Sequence, residues 1–372
     1  MTDQAYVTLA LVPGIGRARV DALLRAFGSA EAALGASLKS LTALPEISLA
    51  AATAIRGAEG SAAARVLARA GELGASVLEP NDPRFPTALG QIPDPPTLVF
   101  AAGRLELLEA PAVAIVGSRS HTRYGGEVCR HFAGGLARAG LVVVSGMARG
   151  LDATAHQAAL DAGGGTIGVL GNGLGVIYPT ANRALYRRVR AEGCLLTEYP
   201  PGERPHAGSF PRRNRLISGL CRVTLVVEAR ERSGALITAG CALNQGREVL
   251  AVPGPITSPV SVGCNRLIQA GAKPALGLRD VLEEYGIKLP DVPSAALPTD
   301  LSQEERRVLD ILALGSEQVD EVACRLGQPA AETLAVLTSL EIRGLVEQEP
   351  GKVFTLRDAD FGLRIGRAGS RQ

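Results

Sequence analysis

Apolar residues recur along this chain in three successive rhythms, and each rhythm predicts a different kind of element. From residue 2 to about residue 69, Leu and Ala return at spacings of three and four, which predicts a set of short helices. From about residue 75 to residue 286 the pattern changes to short continuous apolar runs. The runs at 113–116, 141–145, 166–170, 194–197, 223–227 and 248–252 read as strands, with helical stretches such as YGGEVCRHFAGGLARAG and ALITAGCALNQG between them. Strands apolar on both faces with helical crossovers predict a parallel sheet covered on both sides, an extended Rossmann-like, doubly wound α/β domain. Two shorter runs ahead of this core, 76–78 and 97–100, are placed to extend the sheet. After a Pro/Ala-rich stretch at 289–298, LSQEERRVLDILAL, EQVDEVACRLG and AETLAVLTSLEIRGLV give three amphipathic helices. A hairpin over a Pro-Gly turn follows at 346–354, completing a winged-helix pattern. The expected division is a helical domain over 1–74, the Rossmann-like domain over 75–286, a linker over 287–300, a winged helix over 301–358 and a tail over 359–372.

Two breaks interrupt the first block. Leu11-Val-Pro-Gly-Ile-Gly-Arg17 runs directly into a helical pattern, as in a helix-hairpin-helix or SAM-like element; Gly14 and Gly16 allow a tight turn that offers amides to a phosphate. A compact helical bundle that never meets a ligand explains the same pattern equally well. The echo Leu44-Pro-Glu-Ile-Ser48 has Glu46 and Ser48 where glycines are needed and reads as structural.

Composition changes this picture little. Lys+Arg 39 against Asp+Glu 37 leaves a net charge of +2, so a case for nucleic acid must rest on local clustering. All the basic residues except Lys39, Lys273, Lys288 and Lys352 are arginines, which a coding bias explains as simply as function does. The six cysteines are scattered without CxxC spacing, so no metal site is expected and free thiols in a reducing cytoplasm are. No leader pattern or long uncharged apolar stretch appears, so membrane insertion is not expected. The helix expected at about 330–343 carries Glu332, Glu341 and only Arg343, which points to protein contact or a structural role rather than to a polyanionic groove.

In an open α/β sheet, ligands sit beyond the carboxyl ends of the strands. Small residues follow almost every run here: Gly117-Ser-Arg119, Ser145-Gly-Met-Ala-Arg-Gly150, Gly171-Asn-Gly173, and Ser233-Gly234 at a helix start. One glycine turn means little; several converging on one edge predict a phosphate-binding rim. Arg119 and Arg149 lie within these turns, and Phe210-Pro-Arg-Arg-Asn-Arg215 sets Arg212, Arg213, Asn214 and Arg215 beside an aromatic ring. No acidic residue occurs from Pro205 to Arg222. Guanidinium groups for phosphate and a ring face for an unstacked base suit a single strand.

An enzyme on the same fold is the competing reading. No GxxxxGK[ST] is present, and Gly171-Asn-Gly-Leu-Gly175 lies too far into the sheet for a dinucleotide fingerprint, so no cofactor is expected. Asp152 and His156 stand four apart on one helix but lack a nucleophile or metal. They read as a residue capping the helix start and a hydrogen-bonded or DNA-proximal imidazole.

The segments Ala114-Ile-Val-Gly-Ser-Arg119, Ser145-Gly-Met-Ala-Arg-Gly-Leu-Asp152, Val169-Leu-Gly-Asn-Gly-Leu-Gly-Val-Ile-Tyr-Pro179, Phe210-Pro-Arg-Arg-Asn-Arg-Leu-Ile-Ser-Gly219, Ser233-Gly-Ala-Leu-Ile-Thr-Ala239 and Gly263-Cys-Asn-Arg-Leu-Ile268 occur in one order. With Glu198-Tyr-Pro-Pro-Gly202 and Arg247-Glu-Val-Leu-Ala-Val-Pro-Gly254, they resemble the DprA/Smf (DNA-processing protein A) family. The resemblance implies a cytoplasmic homodimer, not an enzyme, that binds and protects incoming single-stranded DNA and loads the RecA recombinase during natural transformation. It also implies that Gly117, Ser118 and Arg119 form a phosphate-contacting turn, and that Arg149, Phe210, Arg212, Arg213, Asn214 and Arg215 form a basic pocket. Gly175 stands where that pattern has Asp, and Cys221 where it has Ser. The alternative is a nucleotide-processing, phosphoribohydrolase-like enzyme, although the PGGxGTxxE turn of such enzymes is replaced by Arg232-Ser-Gly-Ala-Leu-Ile-Thr238.

Overall fold

Serines set the rhythm of the N-terminal helices. Ser29, Ser37 and Ser48 each accept a hydrogen bond from the amide three residues on, satisfying a donor that a helix start leaves orphaned. The helices of this block are α1 (Gln4–Ala10), α2 (Arg17–Phe27), α3 (Ala30–Gly35), α4 (Leu38–Thr42), α5 (Leu49–Arg56) and α6 (Gly60–Glu72) in the computed structural model, which describes residues 3–287, 300–312, 317–349 and 351–356. The glycine hairpin at 11–16 joins α1 to α2, and its echo joins α4 to α5, as the sequence pattern requires.

The β–α rhythm follows. Its elements are β1 (Ser76–Leu78), α7 (Thr87–Gly90), β2 (Val99–Gly103), β3 (Ala112–Val116), α8 (Arg123–Arg138), β4 (Val142–Ser145) and α9 (Leu151–Asp161). Then come β5 (Thr166–Val169), α10 (Arg183–Glu192), β6 (Cys194–Thr197), α11 (Ser209–Gly219) and β7 (Val223–Val226). The series closes with α12 (Gly234–Asn244), β8 (Glu248–Ala251), α13 (Val262–Gln269) and β9 (Lys273–Pro274). One sheet runs β1-β2-β6-β5-β4-β3-β7-β8-β9. From β6 through β9 every pairing is parallel, while β1 and β2 add an antiparallel edge. The six core strands fall within one residue of their apolar runs, but the run at 97–100 is displaced to Val99–Gly103, and β9 carries no apolar signal.

Each face of the sheet buries its own core. Val116, Val144, Leu196, Leu216 and Ala239 meet on one side. On the other, Phe100, Leu170 and Leu195 pack with Leu9, Leu23 and Ile55, so the N-terminal helices share their core with the sheet. Residues 1–275 form one compact unit and residues 276–372 a second.

The second unit contains α14 (Leu278–Leu282), α15 (Gln303–Leu312), β10 (Glu317–Gln318), α16 (Val319–Leu326), α17 (Ala330–Ile342), β11 (Val346–Glu349) and β12 (Val353–Leu356). Three helices and an antiparallel sheet ordered β10-β12-β11 close over Val308, Leu312, Leu337, Leu340 and Phe354, which is a winged helix. Most of the expected linker (288–299), Pro350 of the wing turn and the tail lie outside the described residues. No described helix is long and apolar enough to cross a membrane.

Candidate nucleic-acid interface

The strand order reverses at β3, because β4 lies on one side of it and β7 on the other. Loops leaving the carboxyl ends of such neighbours diverge and open a crevice. A cleft of 530 Å³ occupies this position, lined by Gly117, Ser118, Arg119 and Ser120 beyond β3 and by Arg230, Arg232, Ser233 and Gly234 beyond β7. A second cleft, of 270 Å³, is lined by Gly146 and Arg149 beyond β4, by Gly171 and Asn172 beyond β5, and by Tyr178 and Pro179. Arg119, Phe210 and Arg213 line both.

Phe210 is therefore the partition between the clefts. Its ring centroid lies 5.4 Å from that of Tyr178, and the Arg119 guanidinium sits 6.0 Å above it. Arg119, Arg149, Arg230 and Arg232 are exposed, and none of them has an acidic partner among the described residues. Glu231, the acid between Arg230 and Arg232, is taken by Arg266 at 2.5 Å. Exposed guanidiniums around a ring platform give phosphate charge and base stacking together.

Beneath this surface lies a second set of arginines with a different task. Arg213 is 4% exposed and donates to the carbonyl oxygens of Gly146, at 2.7 Å, and of Val169. Asp152 lies beside it and accepts from the amides of Gly146 and Ala148, so it pins the loop after β4 while Gly150 forms the helix N-cap. Burial pushes the Asp152 carboxyl up and brings Arg213 down to about 10, with their mutual attraction opposing both shifts. Gly146 is required here: a Cβ would stand 2.7 Å from both the Arg213 guanidinium and the Asp152 carboxylate. His156 is fully buried, bonds Thr166 Oγ1 through Nδ1 at 2.7 Å, and is pushed down to about 3 by burial and by Arg213. Asp152 and His156 thus spend their chemistry inside the fold.

The expected site residues separate accordingly. Gly117, Ser118, Arg119, Phe210, Arg213, Asn214, Ser233 and Gly234 meet at the larger cleft, and Gly146, Arg149, Gly171 and Asn172 at the smaller. Ser145 is buried and donates to the Ile115 carbonyl; Gly173 donates to the Glu203 carbonyl. Gly150 has φ +77, and a Cβ there would lie 2.4 Å from the Ser118 carbonyl oxygen, so it brings the turns after β3 and β4 together. Arg212 turns into a separate cavity of 430 Å³ with Gly14, Gly16 and Glu198. Arg215 is ion-paired with Glu198 at 2.5 Å and Asp94 at 2.9 Å, and burial raises the Glu198 carboxyl. The acid-free run at 205–222 thus finds its counter-charges on distant segments. Tyr178, one of three tyrosines (with Tyr124 and Tyr199) that the sequence offers as further stacking candidates, lines the smaller cleft. Arg230 and Arg232 were missing from the expected set, although the stretch Arg230-Glu-Arg232 before a glycine-started helix was their signal.

A family model for DNA recombination-mediator protein A matches residues 76–286, more than half of the chain. The chain belongs to that family. A second model, the DprA winged helix domain, matches residues 292–352. Among DprA relatives, Protein Smf of Escherichia coli strain K12 is 43% identical over 291 residues, spanning 76% of this chain and 78% of its own. The X-ray structure of DprA from Streptococcus pneumoniae superposes with a TM-score of 0.67 at 35% identity, covering 78% of this chain and 99% of that one. DprA from Helicobacter pylori, solved to describe a single-stranded DNA binding mode, gives a TM-score of 0.52 at 31% identity, covering 57% of this chain and 95% of its own.

Proposed function

We propose that this chain binds single-stranded DNA non-catalytically across the two clefts, protects it, and hands it to the RecA recombinase during natural transformation. The observation that carries this reading is the pair of clefts parted by Phe210 and ringed by Arg119, Arg149, Arg230 and Arg232, none of which has an acidic partner among the described residues. Family membership and the single-stranded DNA binding mode of the H. pylori relative support the choice of ligand. A ring standing between two niches offers faces to unstacked bases, which a duplex keeps inside its stack. RecA delivery, a homodimeric state, a cytoplasmic setting, and the functional division into 1–74, 75–286, 287–300, 301–358 and 359–372 belong to the same proposal.

Arg119→Ala is the direct test, because the side chain is exposed and makes no hydrogen bond or ion pair among the described residues. Titration with labelled single-stranded and duplex oligonucleotides of equal length at several salt concentrations should show single-strand preference in the parent chain. The variant should bind more weakly, with a salt slope smaller by about 0.7, and keep its unfolding midpoint. Equal affinity of the parent and Arg119→Ala for single strands rules out these clefts as the binding site.

A further inference from the structure

The residues that lead into α10 line the smaller cleft. Tyr178, Pro179, Thr180 and Ala181 form part of its wall. The next residue, Asn182, donates from its side-chain amide to the carbonyls of Met147 at 2.9 Å and Ala148 at 3.0 Å. This fixes the start of α10 to the loop that carries Arg149. Arg149 follows Ala148 and Arg183 follows Asn182, so the two arginines flank the Asn182–Ala148 hydrogen bond.

Along α10, Leu185, Tyr186 and Val189 face inward. Two of its four arginines are occupied. Arg188 pairs with Asp161 at 2.5 Å and Glu192 at 3.2 Å, and Arg190 donates to the Leu73 carbonyl. Arg183 and Arg187 are exposed and make neither an ion pair nor a hydrogen bond among the described residues. They stand four apart, one turn along the same face, where like charges repel. No acidic residue occupies the first turn, and Arg183 lies at the helix end whose dipole disfavours cations. An ordinary solvated face neutralises its arginines at i,i+4, as Arg188 and Glu192 do on this same helix. Helix stability therefore does not account for this pair, whereas a polyanion does.

We propose that a single strand leaving the smaller cleft runs along α10, with successive phosphates on Arg183 and Arg187. The ligand is the phosphodiester backbone, so this part of the track reads no sequence. The inference rests on the single-strand reading above and extends it beyond the clefts.

The test uses the full chain with oligo-dT of two lengths, one short enough to occupy only the clefts and one long enough to reach α10. Fluorescence anisotropy across a salt series gives the slope for the parent chain, for Arg183→Ala/Arg187→Ala, and for Arg183→Lys/Arg187→Lys. For the long strand, the alanine pair should lower the slope by about 1.4, two contacts at the single-strand value, while the lysine pair retains it. For the short strand all three proteins should agree, which also reports that the clefts remain folded. An unchanged long-strand slope in the alanine pair, with short-strand binding still dependent on Arg119, overturns the α10 track and leaves the clefts standing. Absence of salt-dependent binding to either length in the parent chain overturns both.

Discussion

His156 shows how a single buried side chain sets a response of the whole chain to acid. Its ring is enclosed, Nδ1 is held by Thr166, and Nε2 has no partner, so nothing compensates a second proton. In the folded chain it stays neutral down to about 3, whereas in the unfolded chain an imidazole takes a proton near 6.5. Between those values the unfolded state holds more protons, so stability rises with pH and is lost as pH falls below about 6.5. Going from pH 7 to pH 5 should cost the parent chain about 2 kcal/mol from this group. His156→Leu should lose that part of the acid sensitivity, read as a smaller difference between urea midpoints at the two pH values; an identical difference in both proteins refutes the assignment. The residue type was visible in the sequence, but its burial was not. The same holds for Arg213 and Arg215, which look like their neighbour Arg212 in sequence yet lie at 4% and 9% exposure. Periodicity within a helix start says which residues share a face, and only the packed neighbours decide whether that face is wet.

At the scale of elements, the strands were legible because a parallel sheet buries both faces and so needs unbroken apolar runs. Direction and edge position were not, since β1 and β2 join the sheet antiparallel through α7 rather than through a crossover spanning the sheet. The turns after the strands were read as room for a ligand. Several of their glycines serve the fold instead, and Gly150 is the clearest: its φ of +77 and the nearby Ser118 carbonyl leave no place for a side chain. Gly150→Ala should destabilise the chain by about 3 kcal/mol, combining backbone strain with a forced shift of the turn that carries Arg119. Denaturant unfolding measures the first effect and the single-strand titration the second. A variant that melts and binds like the parent shows that the two turns are not coupled.

At the scale of the whole molecule, charge is divided unevenly. Residues 300–356 carry eleven acidic against five basic side chains, so the winged helix presents a field that repels nucleic acid. A fragment of residues 1–290 should accordingly keep the single-strand affinity and salt slope of the full chain. Loss of the slope in that fragment moves the binding site to the winged helix. The sequence alone determined the order of helical block, doubly wound sheet and winged helix, the strand ends at which the site is proposed, and the motifs that mark the family. These are local properties, since apolar period, turn residues and short motifs act over a few neighbours along the chain. Only the tertiary structure decided which arginines face solvent, because Asp94, Asp152 and Glu198 reach the arginine-rich segment from far away in sequence. It alone also joined Arg230 and Arg232 to Arg119 across β3 and β7, since a sheet brings strand ends together in an order that the chain does not follow.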